Sequence, residues 1–160
     1  MSRLSNQEAI AGYTDAVVFD YVDLQRSGFL STIGAANQRK VGSLGPGDLI
    51  DKAVLIQIVD PAGATDLTLD FGVTASDPDE FIDNLDVDGM TKVQGNTGDA
   101  FVGSDSGSPA ETTSNVVNFY ANNSASAADL IMEFNGTLAS LTAGKWALAW
   151  NQLRTSELAN

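Results

Sequence analysis

The chain has 160 residues, 8 Lys and Arg against 21 Asp and Glu for a formal net charge of −13, and neither Cys nor His. That length supplies one domain-sized core, while the missing thiols exclude a disulfide scaffold, an iron–sulfur cluster, a Cys nucleophile and Cys-type zinc sites. The missing imidazoles remove the commonest general base, and a polyanion is repelled by nucleic acid and anionic lipid, so the expectation is a non-enzymatic binding protein with no cofactor, no metal and no small-molecule substrate.

The charge is uneven. Residues 51–105 hold twelve acids and two bases, whereas residues 1–50 hold five and four. The middle third reads as a solvated face, and the near-neutral ends as the better contact surfaces.

At the front, Ser5-Asn6-Gln7-Glu8 has the spacing of a capping box and Gly12 limits any helix there to two short turns, so residues 1–14 read as an arm or short helix. No apolar run there has the length of a leader, which sets the expectation of a protein kept in the cytoplasm before any assembly. From residue 15 the texture becomes short runs of Val, Ile, Phe and Tyr between Gly, Asp, Asn and Ser, and Asp outnumbers Glu sixteen to five. Asp competes with helical backbone hydrogen bonds, so the balance favours strands and turns. The expectation is a β-sandwich over 15–153 and a tail over 154–160.

In chain order, strands are expected over 17–24 and, more weakly, 28–33. Residues 54–59 are apolar on both faces, marking a central strand that ends at Asp60-Pro61. Over 67–74, Leu67, Leu69, Phe71 and Val73 alternate with Thr68, Asp70, Gly72 and Thr74, the period-2 pattern of a half-buried strand. Residues 99–103 are a weaker candidate, 104–115 a long exposed loop, and 116–120 a strand. Leu130, Met132 and Phe134 alternate over 130–135, where a helix from Ser124 is the competing reading. Finally Trp146, Leu148 and Trp150 share one face of a strand after Gly144. Gly45-Pro46-Gly47-Asp48, Asp60-Pro61-Ala62-Gly63, Asp88-Gly89, Asn122-Asn123 and Asn135-Gly136 carry turn chemistry. Seven or eight such strands predict an all-β antiparallel sandwich, with the jelly roll as its expected form.

Three constellations invite chemical readings. Asn84, Asp86, Asp88 and Gly89 imitate the start of a calcium loop, but position one is Asn and position twelve is Gly95 where a bidentate Glu is required, leaving an acidic turn. Paired carboxylates are expected by chance among sixteen Asp, and no nucleophile with a neighbouring base can be assembled. Trp146 and Trp150, with Tyr120, suit either a sugar-stacking platform or a core, and core burial is the usual use of large aromatics. Of the eight bases, Arg3, Arg26, Arg39 and Lys40 precede residue 41.

From residue 41 the order Gly45-Pro46-Gly47-Asp48, Val54-Leu55-Ile56-Gln57-Ile58, Leu67-Thr68-Leu69-Asp70-Phe71-Gly72, Asp77-Pro78-Asp79-Glu80-Phe81-Ile82 and Leu141-Thr142-Ala143-Gly144-Lys145-Trp146 resembles small proteins of tailed-bacteriophage structural gene clusters. The resemblance covers residues 41–152 in texture and order. It implies a capsid decoration (cement) protein: a β-sandwich, often a homotrimer, that binds the major capsid protein on the virion exterior and braces neighbouring capsomers. Under it, Arg3, Leu4, Ile10, Tyr13, Arg26, Arg39 and Lys40 are the expected capsid contacts. Leu69, Phe71, Phe134, Trp146, Leu148 and Trp150 are expected in the core or a subunit interface. A phage tail or head-fibre component, or a carbohydrate-binding module, is the alternative.

Overall fold

A computed structural model describes residues 2–3, 12–30, 37–90, 92–95 and 119–158. Its elements are β1 (Ser2–Arg3), β2 (Asp15–Asp20), α1 (Tyr21–Gln25), β3 (Gln38–Leu44), β4 (Leu49–Ala62), β5 (Thr68–Gly72), β6 (Ile82–Asp86), β7 (Val93–Gly95), β8 (Tyr120–Ala121), β9 (Ala128–Asn135) and β10 (Ala143–Leu153). One sheet has the order β1-β2-β10-β4-β7, with β8 beside β4, and the other β3-β9-β5-β6. All pairings are antiparallel. The fold is an all-β sandwich of two packed sheets.

The alternation seen in the sequence decides what lies between them. Leu69 and Phe71 on β5, Phe134 on β9, and Trp146, Leu148 and Trp150 on β10 are all fully buried. Within the first sheet Trp146 lies 5.7 Å from Phe19, and across to the second sheet Trp146 lies 5.4 Å from Phe134 and Trp150 5.4 Å from Phe71. Each indole withdraws roughly 150–250 Å² from water, worth about 4–6 kcal/mol before conformational entropy is set against it. Together these rings define the inter-sheet core.

Several expectations are corrected. Residues 17–24 do not form one strand, because β2 stops at Asp20 and α1 begins. The Asp20 carboxylate accepts the Asp23 N–H at 3.0 Å and the Asp23 carboxylate accepts the Asp20 N–H at 3.3 Å, a reciprocal cap that turns the chain. The strand of 54–59 extends from Leu49 to Ala62, through Asp60-Pro61. Pro61 falls in the irregular stretch between the Lys145–Val59 and Ala143–Ala62 pairs, where no ladder partner needs the N–H it lacks. Residues 124–127 are not helical; they bend into β9. The capping box of residues 5–8, the candidate 99–103 and the loop 104–115 lie outside the described residues, as do Leu4, Ile10, residues 31–33 of the 28–33 candidate and residues 116–118 of the 116–120 strand. The described residues 28–30 are turn and bend rather than strand, and of 116–120 Tyr120 opens the two-residue β8. Ser2 and Arg3 enter the first sheet as β1 against Val18 and Val17.

Turn chemistry closes the frame. At Gly63, φ is +85°, and an added Cβ would lie 2.4 Å from the Ser140 carbonyl oxygen, so only glycine fits where the β4–β5 connection passes the β9–β10 connection. The β3–β4 turn is closed by Asp48, whose N–H donates to Gly45 O at 3.1 Å while its carboxylate accepts the Gly45 N–H at 2.9 Å.

Candidate docking surface

The expected contact residues fall in two places. Tyr13, half-buried, packs on the outward side of the first sheet with Ala16, Val54 and Ala149, and the Lys52 ammonium sits 4.7 Å from its ring centre. Arg26, Arg39 and Lys40 lie together on the far side, around the outer edge of β3. Arg39 is corrected from a free contact to a partly internal group. Its guanidinium stacks 4.3 Å from the centre of the Phe29 ring and donates to Phe29 O, while Phe29 N–H donates to Arg26 O. Lys40 is exposed and paired with Asp129, and Arg26 is exposed and reaches Asp23 at 3.4 Å.

The sugar-stacking reading is overturned by burial. Trp146 and Trp150 have no accessible surface, and Tyr120 is half-buried, its ring edge-on to Phe81 at 5.4 Å. A planar ligand needs at least one open ring face. The calcium-like turn is likewise occupied by its own backbone: Asn84 N–H donates to Asp70, Gly89 N–H to Asp86, and Leu67 N–H to Asp88. Among the described residues no three acids converge on a common point.

On the outward face of the second sheet, β5 and β9 set Asp70 directly opposite Glu133. Glu133 accepts from the side-chain amides of Gln38 at 2.7 Å, Asn135 at 3.0 Å and Asn37 at 3.1 Å. Among the described residues Asp70 has one donor, the Asn84 N–H. Burial, with Glu133, Asp83 and Asp77 adding repulsion against that one donor, pushes its carboxyl up to about 6. No spacing in the sequence announces this pair, since it exists only once the β5–β9 register is fixed.

The two edges of this sheet differ in charge. On the β6 side, Asp83, Asp86 and Asp88 are exposed, and Asp77 and Asp79 lie in the β5–β6 connection. On the β3 side stand Arg26, Arg39, Lys40 and, from the end of β10, Arg154, which donates to both Asp15 oxygens at 2.8 Å. Lys40, Val41, Gly42, Ser43 and Arg154 line an open trough of about 420 Å³ along the outer side of β3, where no described strand pairs. A second, more apolar hollow of about 210 Å³ lies at the end of the first sheet among Leu49, Asp51, Phe119, Asn151 and Leu153.

This geometry offers recognition of another polymer. It has edge-strand backbone flanked by charge, with both tryptophans sealed away. No family model, no curated protein and no solved structure matches the chain.

Proposed function

We propose that this chain is a non-enzymatic virion structural protein, a decoration protein that binds the outside of a tailed-phage capsid and stabilises contacts between capsomers. The resemblance read in residues 41–152 supplies the class. The structural observation carrying most weight is the strand order, β2-β10-β4-β7 facing β3-β9-β5-β6, which supports a jelly roll as the finer form of the sandwich. Such a sandwich keeps its apolar payload internal and is soluble before docking, leaving edges and connections for contact. The N-terminal segment, with Tyr13, and Arg26 at the end of α1 are the surfaces assigned to the major capsid protein.

Docking would act by mass action. A ligand that binds only the assembled shell shifts the equilibrium toward assembly, and several linked weak contacts suffice. The test is co-sedimentation with purified phage shells, using the full chain and a chain lacking residues 1–11. That truncation retains Thr14, whose hydroxyl accepts the Gln152 N–H at 2.8 Å and so belongs to the sandwich. The full chain is expected to pellet with shells and raise their dissociation temperature. The truncated chain is expected to keep its buried-tryptophan emission and lose binding. Failure of the full chain to bind any tailed-phage shell, including that of the virus encoding it, overturns the reading.

A further inference from the structure

We infer that the second sheet is an assembly surface for other copies of this chain, the outer edge of β3 in one copy pairing with the outer edge of β6 in the next. Both are edge strands, and an edge presents a row of backbone donors and acceptors that pairs with another strand unless something prevents it. On β3 the trough beside Lys40, Val41, Gly42 and Ser43 leaves room along the strand backbone. On β6 the five residues Ile82–Asp86 are shorter than the seven of β3, and Asp83, Asn84 and Asp86 are exposed.

Charge selects among the possible pairings. Placing β6 against β6 sets Asp83 and Asp86 against their own copies within the most acidic part of the chain. Placing β3 against β3 gathers two copies of Arg39 and Lys40. Only β3 against β6 brings opposite charges together. The carboxylates already beside the β3 cations do not prevent this: Lys40 and Asp129 are both 45% exposed on their side chains, and surface pairs of that kind are weak and exchange readily. The bulge at Val41, between the Lys40–Ile131 and Gly42–Leu130 pairs, and Lys40 itself guard this edge against indiscriminate strand addition. Among the described edge strands, β6 is the one whose acidic side chains complement Lys40.

The two edges lie at opposite ends of the β3-β9-β5-β6 order, so the contact is heterologous and each copy uses both. Heterologous contacts close into rings when the rotation between copies divides a full turn and otherwise continue as open filaments; in either product every contact is the same β3–β6 pairing.

This inference does not depend on the capsid reading, and its test contains no shell. Light scattering after size exclusion, at about 50 mM NaCl, is expected to give a whole-number multiple of the 16.7 kDa chain. Lys40→Glu and the double variant Asp83→Lys/Asp86→Lys are each expected to weaken assembly at least about tenfold and to elute as single chains. Their tryptophan emission reports whether each remains folded. Mixed in equal amounts, the two variants are expected to assemble again, because each edge of one now complements the opposite edge of the other. In a closed ring, alternation of the two also forces an even number of chains. A native chain that stays single at millimolar concentration overturns the proposal. So does a multimer that neither variant perturbs, or a folded pair of variants that forms no mixed species on mixing, not even a heterodimer.

Discussion

Asp70 and Glu133 meet across β5 and β9 at a separation set by the ladder, and like charges directly opposite cost stability. Glu133 holds three amide donors and Asp70 one N–H, so the penalty falls on Asp70, whose carboxyl is raised to about 6 from its ordinary 3.8. The folded state then holds this proton more tightly than the unfolded state. Below the unfolded value both states are protonated and there is no penalty; between about pH 4 and 6 it grows, and above that it is complete. Asp70→Asn keeps an oxygen for the Asn84 N–H and removes the charge. Because Asp70 is only half-buried, solvent screening reduces the expected gain at pH 7.5 to on the order of 1 kcal/mol, disappearing by about pH 4. Urea unfolding of both chains across that range measures it. An equal midpoint at pH 7.5 would mean that neighbouring water neutralises the repulsion.

At the scale of elements, the strands most legible in the sequence are those with one wet face and one dry face. Leu69 and Phe71 on β5, Leu130, Met132 and Phe134 on β9, and Trp146, Leu148 and Trp150 on β10 alternate as a half-buried strand must, and all lie in the core. The illegible strands break that pattern for physical reasons. β3 reads Gln-Arg-Lys-Val-Gly-Ser-Leu because it is an edge with a bulge, where polar and cationic residues are favoured. β6 reads Ile-Asp-Asn-Leu-Asp, and Asn84 has φ +43°, which breaks strict alternation. The docking edges are thus the elements a search for hydrophobic periodicity passes over. α1 is hidden because the apolar run crosses its cap. The tie between the β3–β4 turn and the end of β10 is hidden too, since it joins residues more than a hundred positions apart. Burial opposes the charge on Asp48. Even so, the Thr155 N–H, the Gln152 amide, the Gly45 N–H and the Thr155 hydroxyl together hold its carboxyl below the ordinary value. This group contributes stability above its unfolded pKa, and that contribution is lost as pH falls through the lower folded value. Asp48→Asn turns an amide N–H₂ toward donors on one side or the other, leaving buried groups unpaired at a cost of roughly 1–3 kcal/mol. A fall in the urea midpoint at pH 7 with unchanged slope is expected. An unchanged midpoint would mean that the turn is held by its backbone alone.

Over the whole molecule, the same charges act in opposite senses within a copy and between copies. A net charge of −13, concentrated in residues 51–105, repels itself in the compact state. Added NaCl shortens the Debye length from about 10 Å at 0.1 M to about 3 Å at 1 M and relieves that repulsion. The melting temperature of a single chain, measured at a dilution where light scattering reports one copy, is therefore expected to rise by a few degrees between about 0.02 and 0.5 M NaCl. That corresponds to on the order of 1 kcal/mol for a domain of this length. Between copies the attraction of the β3 edge for the β6 edge is screened by the same ions, so the assembled mass is expected to fall over the same interval. Chloride is the appropriate salt, because sulfate strengthens apolar burial and would obscure the electrostatic term. A rising melting temperature with falling mass separates the two roles of charge. A rise in both would assign assembly to apolar contact, drawing attention instead to the hollow lined by Leu49, Phe119 and Leu153.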